Sequence, residues 1–231
     1  MTVSTRNEIL TLLKRNGGHS VAELAGELKL APITVRQHVT RLERDGLLVA
    51  DHRAGSSGRP HYVYKLTAKA HAAAFPRRTD RLIELLVREV GALDGRELER
   101  LSAQEKTRLV LERVARRLAD EYAPLLGDWQ LPERVAFVTE VMHAEGGLAE
   151  WEKTSAGYEI RDFNCLFRRL LSPDAGEACQ WHQYFLSHTL FADVRAAPCS
   201  DTVGQCCRFV VIEPLAAVSA NRPSMETILA Q

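Results

Sequence analysis

The segment from Pro32 to Asp45 leaves a folding chain few choices. Proline is tolerated in the first turn of a helix, where its missing N–H has no partner to lose, and Gly46 supplies a stop. Between them Val35, Val39 and Leu42 recur at i, i+4 and i+7, so a helix over this span buries one face only. The face left outside is Thr34, Arg36, Gln37, His38, Thr40, Arg41 and Arg44, which is polar and basic. Two more helices are predicted before it. Ile9, Leu10, Leu12 and Leu13 make the stripe of the first, which stops at Asn16-Gly17-Gly18. Ser20 and Glu23 form a capping box that opens the second, with Val21, Leu24, Ala25 and Leu28 on its apolar face. After the third helix come two β-rich runs, 47–50 and 62–66, around the glycine-rich, basic stretch 52–61, which predicts a hairpin with a long tip.

Three helices, a short turn and a basic hairpin in this order predict a winged helix-turn-helix. The third helix has the width and the side chains to enter a major groove, with Arg and Gln reaching base edges and the later arginines meeting phosphates. The candidate DNA-binding residues are Thr34, Arg36, Gln37, His38, Arg41 and Arg44, with Arg53 and Arg59 touching phosphate from the wing. Charge is distributed accordingly. The formal net charge is zero, yet residues 1–65 hold ten Lys and Arg against six Asp and Glu, so the front of the chain is its basic end. The segments Leu30-Ala-Pro-Ile-Thr-Val-Arg-Gln-His-Val39 and Leu42-Glu-Arg-Asp-Gly-Leu47 resemble the winged helix-turn-helix of bacterial DeoR- and ArsR-type regulators. The expected partner is double-stranded DNA carrying a palindromic operator. Reading a palindrome needs a two-fold protein, hence a homodimer.

Residues 76–147 read as helices. Leu82, Leu85, Leu86 and Val90 stripe the first; Ser102 and Glu105 cap the next, with Leu109, Val110, Val114, Leu118 and Tyr122 on one side; Pro132 opens a third with Val135, Val138 and Met142. This region is the predicted linker and dimerisation element between a DNA-binding domain at 1–75 and a sensor domain at 148–231. The sensor domain alternates types: a hairpin from Leu148 to Phe163, a helix from about Glu177 and a strand at Cys207, so the whole is α+β. No apolar run of 18 residues exists and the N-terminus lacks a signal peptide's pattern, so a cytoplasmic protein with no membrane partner is expected. No phosphate-cradling glycine loop, His-Glu metalloprotease motif or nucleophile elbow is present, so no enzyme is expected.

All five cysteines fall in the last 67 residues. Thirteen residues separate Cys165 from Cys179, nineteen separate Cys179 from Cys199, and seven separate Cys199 from Cys207, with Cys206 adjacent. Zinc modules and common ferredoxins use short spacings, which this chain lacks. Cysteines spread over a loop, a helix start, a second loop and a strand can share one centre only through tertiary structure. That arrangement ties occupancy to the shape of the domain, as a metal or redox sensor requires.

The run Asn164-Cys165-Leu-Phe167, then Cys179-Gln-Trp-His182, Cys199 and Cys206-Cys-Arg-Phe209, behind a winged helix and a helical linker, resembles the SufR-type repressors of iron-sulfur cluster assembly (suf) operons. The resemblance covers nearly the whole chain. It implies a homodimer whose C-terminal cysteines hold a [4Fe-4S] cluster, with cluster state setting operator affinity. Carried over residue by residue, it implies Cys165, Cys179 and Cys207 as ligands and Cys199 as the fourth, with Cys206 or His182 as alternatives for that place. Neighbouring strand residues point to opposite faces, so one cluster should not take both Cys206 and Cys207. The competing expectation is a zinc- or thiol-based regulator using the same residues.

Overall fold

The computed structural model describes residues 4–53, 61–165, 177–198 and 206–212. Helix α1 (Thr5–Asn16) buries Ile9, Leu10 and Leu13 and ends on Gly17, whose left-handed backbone (φ 76°) returns its N–H to the Leu13 carbonyl. Helix α2 (Val21–Leu28) is opened by the predicted box: the Glu23 amide donates to Ser20 Oγ at 3.3 Å and the Ser20 amide to Glu23 Oε2 at 2.7 Å. Helix α3 (Pro32–Arg44) buries only Val35, Val39 and Leu42. Strands β1 (Leu48–Arg53) and β2 (His61–Leu66) pair antiparallel from Leu48↔Leu66 to Arg53↔His61. Helix α4 (Ala68–Ala74), capped by Thr67, packs back on α1. Ile9, Leu13, Leu24, Val35, Leu42, Leu48 and Ala70 belong to one core, and Phe75 lies against it.

The remainder is built around a second core. Helices α5 (Asp80–Gly91), α6 (Gly95–Leu98), α7 (Ala103–Leu126) and α8 (Leu131–Ala144) precede a hairpin of β3 (Ala149–Thr154) and β4 (Gly157–Asp162). Helix α9 (Glu177–Leu190) and strands β5 (Asp193–Ala197) and β6 (Cys207–Ile212) complete an antiparallel sheet in the order β3-β4-β6-β5. The register sets Tyr158 opposite Val211, Ile160 opposite Phe209 and Asp162 opposite Cys207. Cross-strand partners share a face, so these six side chains lie on one side of the sheet. They meet Trp181, Phe185, Leu186 and Leu190 of α9, and the same core continues into Leu82, Leu85, Val114, Leu118, Val138 and Met142. The helices after residue 79 and the sheet thus share their interior. The fold is mixed helix and sheet, with a winged helix-turn-helix in front, as the residue pattern predicts.

Candidate nucleic-acid interface and metal centre

Helix α3 presents Arg36, Gln37, Arg41 and Arg44 as exposed side chains, with Thr34 and His38 half-buried beside them. Among the described residues no hydrogen bond or ion pair holds Arg36, Gln37, Arg41 or Arg44, so all four are available to an outside partner. Ile33 stands exposed at the N-terminal end of the same helix, a position suited to apolar contact with a thymine methyl and one that the polar pattern does not reveal. Arg53 is the last residue of β1, at the mouth of the hairpin. Arg59, on the wing tip, lies outside the described residues.

Behind the DNA-binding domain, the turn after β4 and the second turn of α9 bring three ligand types together. Asp162, Cys165 and His182 are all buried, and one ligand atom from each lies within 4.8 Å of the others. His182 sits in the middle: its Nδ1 is 3.7 Å from Cys165 Sγ and its Nε2 is 3.7 Å from Asp162 Oδ2. The other carboxylate oxygen, Asp162 Oδ1, accepts the amides of Asn164 at 2.8 Å and Leu148 at 3.1 Å. These bonds shape the turn that carries Cys165. Cys207, also buried, is the β6 residue opposite Asp162 and on its face of the sheet.

Burial pushes the Asp162 carboxyl above the usual carboxylate range; His182 opposes this, Cys165 adds to it, and the two backbone amides pull part of it back. A carboxylate so placed is stable as an anion only with positive charge beside it. Carboxylate, thiol and imidazole together can supply that by binding a cation, since all three ligate first-row metals. The cavity that reaches Asp162 and His182 is lined on its apolar side by Leu82, Leu85, Met142 and Trp181, and its volume is about 70 Å³. Organic effectors occupy sites of roughly 300–1,000 Å³. The described cavity is smaller than such sites.

The five cysteines divide. Cys165 and Cys207 belong to the main core, whereas Cys206 packs with Leu148 and Phe163 in a separate small cluster and is disulfide-bonded. The expected separation of Cys206 from Cys207 is thus observed. Cys179 is the third residue of α9, but its side chain, like all of Cys199, lies outside the described residues. Asp162 is the residue that sequence reasoning missed. Its only signal was a carboxylate in line with Tyr158 and Ile160 on the apolar face of an alternating strand.

An exposed basic helix and a wing define a winged helix-turn-helix transcription regulator, and a buried set of candidate metal ligands lies behind them. Residues 4–49 match the family described as winged helix-turn-helix DNA-binding. Among solved structures the chain is similar to that of Lactococcus lactis ZitR in a doubly substituted form, at 26% identity and a TM-score of 0.29. The match covers 42% of this chain and 66% of ZitR, just under two thirds of that protein's length. No curated protein matches the chain significantly. Among the described residues no helix is long and apolar enough to cross a membrane.

Proposed function

We propose that this chain is a homodimeric, cytoplasmic transcription regulator whose C-terminal domain senses an iron-sulfur cluster, and that it represses iron-sulfur cluster assembly (suf) genes according to cluster state. In this reading Thr34, Arg36, Gln37, His38, Arg41 and Arg44 read the operator, Arg53 and Arg59 hold its backbone, and, once the disulfide at Cys206 is reduced, a [4Fe-4S] cluster is held by Cys165, Cys179, Cys199 and Cys207. The observation that supports it best is the burial of Cys165 and Cys207 in one core, although 41 residues separate them in sequence. Soft thiolates in an apolar shell are the donors such clusters use. When bound, the cluster would supply a rigid cross-link between the turn after β4 and the start of β6. His182, beside Cys165 Sγ, would orient that thiolate, and Asp162 would orient His182.

A second reading has its own support. The proximity of Asp162, Cys165 and His182 fits a single divalent ion such as zinc, held by three protein ligands. One experiment separates the two. Chain purified without oxygen is expected to be brown, with about four irons per chain. Colourless protein with one zinc per chain supports the second reading, and protein with neither metal overturns both.

A further inference from the structure

The turn that carries Cys165 also holds the connection to the DNA-binding domain. Asn164, buried between the candidate ligands Asp162 and Cys165, uses its whole side chain in doing so. Its Oδ1 accepts from Arg77 Nε at 3.2 Å and Arg77 Nη2 at 2.9 Å, and its Nδ2 donates to the Phe75 carbonyl at 3.3 Å and the Gly146 carbonyl at 2.7 Å. An amide side chain has two lone pairs and two protons to offer, and all four are engaged. The backbone reinforces the contact: the Arg78 amide donates to the Glu145 carbonyl at 3.2 Å. Phe75 packs against both the DNA-binding core and the small cluster of Leu148, Phe163 and Cys206. Arg15, at the end of α1, pairs with Glu150 at 3.2 Å and lies 6.0 Å from the centre of the Phe163 ring.

We propose that Asn164 is a positioning residue that transmits the state of the metal centre to the winged helix, by gripping residues 75–77 from a turn whose shape is set by ligation on either side of it. This rests on the iron-sulfur sensing reading of the preceding section. Asp162 lies two residues before Asn164 and Cys165 one after. Drawing both toward a bound centre rotates the peptide between them, and a saturated amide cannot turn without releasing or pulling the segment it holds. The signal then travels along Phe75–Arg77 to α4 and α1. The coupling is local and covalently short, and it requires no movement within the shared core of α7, α9 and the sheet.

The test uses full-length chain, reconstituted anaerobically with iron and sulfide or stripped by chelator, and a duplex selected from a random pool by the wild-type protein. Wild type is expected to bind the duplex with affinities differing by at least about five-fold between the two states, the lower end of ordinary allosteric coupling. Asn164→Ala should load the same amount of iron yet bring that ratio close to one. Arg77→Ala removes the two bonds to Asn164 Oδ1 from the linker side, leaving the sequence of the turn unchanged, and should lower the ratio markedly even where Asn164→Ala folds poorly. A ratio kept at its wild-type value in the Arg77 variant overturns the transmission role while leaving sensing intact. A wild-type protein that loads no metal, or binds duplex equally in both states, overturns the sensing reading and the transmission with it.

Discussion

At the residue scale the two sites make different demands. Arg41 is exposed on α3 and makes no ion pair among the described residues, so Arg41→Ala should leave the melting temperature unchanged and weaken operator binding by more than about 1 kcal/mol. If Arg41 meets phosphate, the slope of log affinity against log salt should also fall by about one; titrations at several salt concentrations measure both. Cys165→Ser should abolish metal or cluster loading while preserving far-UV circular dichroism, because serine nearly matches cysteine in size but does not ligate as a soft thiolate. The two readings of the centre part at His182→Gln. It should prevent binding of a single zinc but only perturb the spectrum of a four-cysteine cluster, and an assay of bound metal distinguishes the two. Much of this was legible from residue type and spacing: the basic face of α3, and the confinement of cysteine to one end. Asp162 was not, because its place beside His182 comes from strand register and from two backbone amides. Neither leaves a mark on local sequence.

Elements were legible where their ends carry their own chemistry. Ser20 with Glu23, Ser102 with Glu105, Pro32, and Gly17 each satisfy or excuse orphan backbone groups, and the helices start or stop at those residues. Three elements lacked an apolar stripe to read, although Thr67 and Asp94 cap two of them. Helix α4 is short and mostly alanine, with no stripe to count, and α6 is a single turn. Strand β5 buries Val194 alone among polar neighbours, and it is a strand because β6 offers it an edge. Gly146 shows a constraint of another kind. Its φ is +89°, and a Cβ there would lie 2.6 Å from the Pro76 carbonyl oxygen, backbone that cannot step aside cheaply. Gly146→Ala should therefore cost more than about 1 kcal/mol in urea unfolding. Gly91→Ala, at the end of α5 with open space around it, should be neutral or slightly stabilising.

At the scale of the whole molecule the unresolved demand is two-fold symmetry. Helix α5 turns Leu82 and Leu85 into the core and leaves Ile83, Val87 and Val90 more than half exposed at i, i+4 and i+7. A contiguous apolar stripe beside a core-facing one is what a helix shows when it packs on two sides. We take this face as the dimer contact of the proposed regulator. Val87→Glu should halve the mass seen by light scattering and lower operator affinity, whereas a variant that stays dimeric moves the interface elsewhere.

The interior shared by α5, α7, α8, α9 and the sheet has a practical corollary for anyone recombining such proteins. A seam cut near residue 147 would open apolar surface on both pieces, and neither should be soluble. A seam near residue 79 crosses a strap of hydrogen bonds at Asn164 and Arg78, the Arg15 contacts with Glu150 and Phe163, and the Phe75 packing. Transplanting everything downstream of that strap onto a foreign winged helix should carry responsiveness along only when the strap travels with it.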